Sequence, residues 1–81
     1  MKLYVGNLSA DTGEEEVRAL FTGQGNITAV HMPADRETGR RRGYAFVTMD
    51  SAEAMNKAIQ MLHGKEQWNG RILQVREAST C

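Results

Sequence analysis

The 81-residue sequence lacks several features that mark particular protein classes. Its one cysteine cannot form an internal disulfide, and its two histidines lie too far apart in the chain to complete the roughly three or four ligands of a zinc site. The longest apolar run, residues 44–47, is far shorter than the about 20 residues of a membrane-spanning helix. Ten acidic residues cancel ten basic ones, so net charge does not attract an anionic partner. We therefore expect no metal, no cofactor, no membrane association and a cytoplasmic location.

The length and the composition indicate one globular domain that spans residues 1–81. A chain of this size buries roughly 60–65% of its unfolded surface on folding, which is enough for one modest core. Hydrophobic residues make up 41% of the chain and charged residues 25%, a balance typical of folded rather than disordered chains. We expect this domain to be a monomer.

The spacing of apolar residues predicts six elements in the order β-α-β-β-α-β. Strict alternation predicts strands, and apolar residues three or four apart predict amphipathic helices. Thr12 with Glu15 fits a capping box at the start of the first helix, and Asp50 or Ser51 can cap the second. We expect His63 to be a surface residue that the dipole of the second helix favours near its C-terminus. The four longer strands are predicted at residues 2–6, 27–33, 43–49 and 71–77.

This order predicts an α+β fold, a ferredoxin-like sandwich in which both helices cover one face of a four-stranded antiparallel sheet. Asn69-Gly70 is expected to form the hairpin turn before the last strand. The other face of the sheet stays uncovered, and alternation directs Tyr4, Tyr44 and Phe46 onto it. These are three of the five aromatic residues of the chain, and such an exposed cluster indicates a binding site. The other residues predicted on this open face are Lys2, His31, Thr48, Gln74 and Arg76.

Basic residues are concentrated in one short stretch ahead of the third strand. Arg36, Arg40, Arg41 and Arg42 lie within seven residues, with only Glu37 to oppose them. Arginines placed beside an aromatic surface suit the phosphates of a nucleic acid. The same pattern also fits a solvated surface loop, and composition does not choose between the two.

Two short motifs resemble the signatures of one family. Residues 42–49, RGYAFVTM, match the eight-residue signature of the RNA-recognition motif at seven of eight places. Met49 stands where Phe or Tyr is usual, at a position that we expect in the core. Residues 3–8, LYVGNL, resemble the second signature of the family, which lies on its first strand. The resemblance covers residues 2–78 and is greatest to the small single-motif RNA-binding proteins of cyanobacteria.

The resemblance implies that the chain binds single-stranded RNA on the open face. Tyr4 and Tyr44 would each stack on one base, Phe46 would pack against the sugars between them, and Arg42 would pair with a phosphate. The resemblance also suggests further contacts along the same surface. These candidates are Arg40, Arg41, Asn7, His31, Gln74 and Arg76.

Two other functions are compatible with the predicted fold. A protein-interaction module would use the aromatic or the helical face to dock a peptide, although such relatives usually lose the surface aromatics that this chain keeps. An acyl-phosphate hydrolase would need a loop that cradles an oxyanion, and the segment at residues 7–9 does not resemble one. The sequence also suggests no pair of nucleophile and base. We expect single-stranded RNA binding in the regulation of mRNA after transcription, with no enzymatic activity and no small-molecule substrate.

Overall fold

Four strands and two helices follow one another in the predicted β-α-β-β-α-β order in the computed structural model, which describes residues 2–9, 11–40, 43–66 and 70–78. The strands pair antiparallel in the order β2-β3-β1-β4, which confirms the predicted sheet. Neither of the described helices is long and apolar enough to cross a membrane. The elements are β1 (Lys2–Gly6), α1 (Glu14–Thr22), β2 (Ile27–His31), β3 (Ala45–Met49), α2 (Ala52–Leu62) and β4 (Gln74–Glu77).

The two faces of the sheet differ in burial as the alternation predicts. Along β3, Ala45, Val47 and Met49 are buried, while Phe46 and Thr48 are partly exposed. The first four residues of β1 follow the same alternation. Because successive side chains of a strand point to opposite faces, one face of the sheet packs against the helices and the other is open to solvent.

One hydrophobic core lies between the sheet and the helices. Val17 and Phe21 enter it from α1, and both are fully buried. On α2 the buried stripe includes Met55, which the sequence analysis did not assign to the core, whereas the predicted Ile59 is only partly buried. Each fully buried aliphatic or aromatic side chain contributes about 1.5–3 kcal/mol to folding. The core consists of Leu3, Val5, Leu8, Val17, Phe21, Ala45, Val47, Met49, Ala54, Met55, Ala58, Leu62, Leu73 and Val75.

The start of α1 differs from the predicted capping box by one residue. Gly13, not Thr12, is the N-cap, and the Glu16 carboxylate accepts a hydrogen bond from the Gly13 N–H at 2.9 Å. Thr12 is instead buried, with 1% of its surface exposed. The prediction of Thr12 as the cap was wrong, since its Oγ1 bonds to no residue in the described part of the chain. At α2 the predicted alternative Ser51 is the cap, and its side chain accepts from the Ala54 N–H at 3.1 Å.

Three strand ends differ from the prediction. β2 ends at His31, two residues before Pro33, which has no N–H to donate to a sheet. β3 begins at Ala45 and not at Gly43, whose φ of 81° is outside the strand region. β4 begins at Gln74, and ahead of it Ile72 makes only an isolated bridge to Glu66. The predicted Asn69-Gly70 turn includes a residue that lies outside those that the structure describes.

His63 is exposed at the C-terminal end of α2, as predicted, and it also makes a contact that the sequence analysis did not predict. Its Nδ1 accepts a hydrogen bond from the Val75 N–H at 3.1 Å. Val75 belongs to β4, which is an edge strand of the sheet. An edge strand leaves every second N–H without a partner in the sheet, and His63 pairs one of these. The residue therefore fastens the end of α2 to the sheet edge.

Candidate functional site

Three aromatic rings form one cluster on the open face of the sheet. Phe46 on β3 lies directly opposite Tyr4 on β1, and Tyr44 precedes β3 by one residue. The ring centroids of Tyr4 and Tyr44 are 5.9 Å apart, and those of Tyr4 and Phe46 are 6.0 Å apart. The Tyr44–Phe46 separation is 5.7 Å. All three residues are partly exposed, as predicted, and we call them the aromatic platform.

The rings of the aromatic platform have different orientations. Tyr4 and Tyr44 are inclined by 25° and are close to parallel. Phe46 is edge-on to both, at 64° to Tyr4 and 81° to Tyr44. Edge-to-face contacts are favourable between aromatic rings, so the cluster is held partly by its own contacts. The two tyrosine rings are therefore nearly parallel, and the Phe46 ring is steeply inclined to both.

The strand register brings other predicted site residues into line with the platform. His31 on β2 pairs with Phe46, Phe46 pairs with Tyr4, and Tyr4 pairs with Arg76 on β4. These four residues therefore form one row across all four strands, with exposed His31 and Arg76 at its ends. Gln74, also exposed, pairs with Gly6 two residues along β1. The sheet thus gathers residues that are far apart in the sequence onto one surface.

Gly6 makes room for the Tyr4 ring, a role that the sequence analysis missed. A Cβ atom built on Gly6 would lie 2.6 Å from Cε1 of Tyr4 and 2.7 Å from its hydroxyl oxygen. These distances are too short for nonbonded atoms, so the ring leans along the strand over the glycine backbone. The available signal was a glycine two residues after an aromatic residue of a strand, because strand glycines often mark a close approach.

Two cations lie over rings of the platform. Cζ of Arg76 is 4.8 Å from the Tyr4 ring centroid, and Nζ of Lys2 is 5.6 Å from that of Phe46. The negative faces of aromatic rings attract cations at such distances. The open face therefore combines flat apolar surfaces with positive charge, although the net charge of the chain is zero.

The loop between β2 and β3 is held by hydrogen bonds around Asp35. Its Oδ1 accepts from the N–H groups of Glu37 and Thr38, at 2.8 and 3.1 Å. Its own N–H donates to the Arg40 carbonyl at 2.7 Å, and its carbonyl accepts from the Gly39 N–H at 2.8 Å. These bonds close the loop into a compact turn beside the platform.

Two of the four predicted loop arginines lie in the described part of the chain. Arg36 and Arg40 are both exposed, whereas Arg41 and Arg42 lie outside the residues that the structure describes. Arg36 lines a shallow hollow between the loop and Tyr44. The carboxylates of two neighbouring loop residues line the same hollow, so the charges of residues 33–40 balance and the described part of the loop adds no net positive charge beside Tyr44.

Asn7, another predicted site residue, is engaged within the protein. Its Nδ2 donates to the Ile72 carbonyl at 2.8 Å, and its Oδ1 accepts from Nη1 of Arg71 at 3.2 Å. Its φ of 63° is in the left-handed region, which asparagine adopts more readily than most residues. Asn7 thus ties the end of β1 to the chain that enters β4, 65 residues later.

The open face can bind a ligand by stacking and by charge attraction. Within the described ranges no three His, Cys, Asp or Glu residues are grouped as a metal site would require. The rings offer flat apolar faces, and the cations around them offer donors to anionic groups. A ligand with flat rings and negative charges fits both features.

Comparisons with known proteins extend over the whole of this fold. The family model described as RNA recognition motif matches residues 3–74. RbpE, a predicted RNA-binding protein of Nostoc sp., is 47% identical over 78 residues, which are 96% of this chain and 78% of RbpE. The crystal structure of the RNA binding protein PG1 has a TM-score of 0.92 and 38% identity, and covers 100% of this chain and 96% of that one. The RRM of Rna15 with bound RNA (GU) has a TM-score of 0.87 and 30% identity, over 98% and 83% of the two chains.

Proposed function

Because the chain belongs to the RNA recognition motif family, we propose that it binds single-stranded RNA on the open face of its sheet. The observation that carries the proposal is the aromatic platform, whose three ring centroids lie within 6.0 Å of one another on a surface that the helices leave open. Unpaired bases present flat π-faces that stack on such rings. Nearby cations attract the phosphates. The related Rna15 domain, whose structure holds RNA, supports this use of the fold.

The ring orientations suggest how bases would be distributed on the platform. Tyr4 and Tyr44 are nearly parallel, so each can offer a face to one of two neighbouring bases. Phe46 is edge-on to both tyrosines and would contact the sugars between those bases. We therefore propose two stacked nucleotides as the centre of the site, each contributing about 1–3 kcal/mol to binding.

The residues around the platform would extend the site on both sides. Arg40 and Arg41 would carry positive charge along the loop, and Arg42 would pair with a phosphate. His31 and Gln74 are exposed on the same face and would contact base edges. We propose a supporting role for Asn7, since its side-chain amide bonds to the segment that precedes β4.

We infer that the protein holds RNA without acting on its bonds. Stacking surfaces and positive charge bind a strand, whereas catalysis would require groups aligned on a reacting atom. We propose regulation of mRNA after transcription as the process and the cytoplasm as the location. The similarity to RbpE of the bacterium Nostoc supports RNA binding as the basis of both.

The proposal is tested by titration with one RNA sequence presented as a single strand and as a duplex. Stacking requires unpaired bases, so the single strand should bind with roughly micromolar Kd and at least about tenfold more tightly than the duplex. A Tyr4→Ala, Tyr44→Ala double variant should lose this preference and keep only the weak attraction of its charges. Equal binding of the two RNA forms by the wild type would contradict stacking on the platform.

A further inference from the structure

Arg76 covers the ring on which the first base is proposed to stack. Arg76 on β4 lies directly opposite Tyr4 on β1, so the two side chains are neighbours on the same face of the sheet. The guanidinium carbon lies 4.8 Å from the Tyr4 ring centroid, although Arg76 itself is exposed. A planar guanidinium can stack on an aromatic face much as a base does.

The surroundings of Tyr4 restrict the approach of a base. Three atoms of the Tyr4 side chain lie within 2.9 Å of where a Cβ on Gly6 would be, so the glycine position occupies one side of the ring. Tyr44 and Phe46 flank the ring at 5.9 and 6.0 Å. The side on which the guanidinium of Arg76 lies is then the side that a base would use. A base that stacks on Tyr4 must therefore displace the guanidinium.

We propose that Arg76 is a displaceable cover on Tyr4 that makes the site selective for ligands with a charged backbone. This inference rests on the proposed function. A phosphodiester strand delivers a base to the ring and a phosphate to the displaced guanidinium, which then gains a charge-assisted hydrogen bond. An uncharged aromatic ligand has no phosphate to bond the displaced guanidinium. Its binding is therefore weakened by the loss of the cation–π contact between Arg76 and Tyr4.

Lys2 does not provide the same cover for Phe46. Its ammonium lies farther from the ring, at 5.6 Å, and an ammonium is a compact, strongly hydrated charge that does not stack as a plane. The selectivity is therefore assigned to the Arg76–Tyr4 pair and not to positive charge on the open face in general.

The test uses two probes with the same short base sequence. One is single-stranded RNA, and the other is its methylphosphonate analogue, whose backbone is uncharged. The variants are Arg76→Ala, Arg76→Lys and, as a charge-matched control, Lys57→Ala on α2, outside the sheet. Each Kd is measured by titration, and the ring-proton shifts of Tyr4 are followed by NMR in the free proteins.

Removing the cover should affect the two probes in opposite directions. Arg76→Ala should bind the uncharged analogue about two- to fivefold more tightly, which corresponds to the loss of one exposed cation–π contact. The same variant should bind RNA more weakly, with a salt dependence reduced by about 0.7 in the log–log slope. Arg76→Lys should retain RNA binding better than Arg76→Ala. Lys57→Ala should not tighten the binding of the analogue.

The possible failures are distinguishable. If Arg76→Ala binds the analogue no more tightly than the wild type, or if the Tyr4 ring shifts do not change in the free variant, the cover is overturned while RNA binding by the wild type stands. If the wild type does not bind RNA, the proposed function is overturned and the cover with it. Tighter binding of the analogue by Arg76→Ala together with weaker binding of RNA is the result that supports the inference.

Discussion

The two faces of β3 use adjacent residues for different purposes. Val47 and Met49 are at most 2% exposed and pack in the core, whereas Phe46 and Thr48 are partly exposed on the open face. All four lie on β3, a short strand between β1 and β2 in the sheet. The difference shows that alternation alone separates the residues that stabilise the fold from those that are free to bind a ligand. Substitutions at neighbouring positions should therefore have separable effects on folding and on binding.

The largest expected effect on binding is at Phe46. Phe46→Ala removes a ring whose contacts in the structure are to two other rings of the open face and to Lys2. We expect RNA binding to weaken by about 1–3 kcal/mol, because the ring that is proposed to pack against the sugars between the two stacked bases is lost. The free energy of unfolding should change by no more than about 1 kcal/mol. RNA titration and thermal melting of the same sample measure the two effects.

The matching variant on the covered face is Val47→Ala. Val47 is fully buried, so truncation leaves a cavity and should lower the free energy of unfolding by about 2 kcal/mol. Measured at low temperature, where the variant remains folded, its RNA affinity should be close to that of the wild type. Unfolding caused by Phe46→Ala but not by Val47→Ala would mean that the two faces are assigned the wrong way round.

Features with a local cause could be predicted from the sequence, and features that depend on distant contacts could not. Alternation predicted the faces of the strands because it depends only on neighbouring residues. The bond from Asn7 to the Ile72 carbonyl joins segments 65 residues apart, and no local pattern encodes it. The contact of Arg76 with Tyr4 likewise depends on the register between β1 and β4, which alternation does not fix.

The helix start shows a second limit of local patterns. Thr12 and Glu15 fit a capping box, but Gly13 and Glu16 form the helix start that the structure shows. The run of three glutamates was compatible with a helix start at either of two adjacent residues, and the structure has the later one, with Thr12 buried ahead of it. Tertiary packing likewise gave His63, the C-cap of α2, a backbone partner on β4 that no local pattern predicts.

Asn7 directly follows β1. Its substitution tests whether it supports RNA binding through the fold and not by contacting RNA. Asn7→Ala removes the amide contacts and places a residue with a Cβ at a φ of 63°, so the free energy of unfolding should fall by about 1–2 kcal/mol. Asn7→Gly loses the same contacts but tolerates this φ, and should cost less. Chemical denaturation measures both. If the two variants were equally stable and both lost RNA affinity, Asn7 would instead contact RNA directly.

Gly6 allows a smaller test on the open face. Gly6→Ala should keep the fold, since Gly6 is not among the described residues with positive φ, but should push the Tyr4 ring off its present position. We expect RNA binding to weaken by about 1 kcal/mol, a fraction of one stacking contact. Gly23→Ala is the control, because a Cβ at that position meets nothing within 4 Å. Unchanged RNA affinity in Gly6→Ala would show that the lean of the ring over the glycine does not matter for binding.

The smallest expected effect lies on the covered side, at Thr12. Its side chain is 1% exposed, and its Oγ1 has no hydrogen-bond partner in the part of the chain that the structure describes. An unpaired buried hydroxyl is unfavourable, so the nearly isosteric Thr12→Val should raise the free energy of unfolding by about 1 kcal/mol. Thr12→Ser keeps the hydroxyl and loses the methyl group, and should lower it. Chemical denaturation of the pair separates the two contributions.

The same Thr12 variants test whether the covered face of the sheet influences RNA binding on the open face. Both variants should bind RNA as the wild type does, because Thr12 lies in the segment between β1 and α1 and its side chain belongs to the buried side. A loss of stability in Thr12→Val would show that the hydroxyl finds a partner in solution. A change in RNA affinity would show that the covered face influences the aromatic platform, and the separation drawn from β3 would then not extend to the rest of the domain.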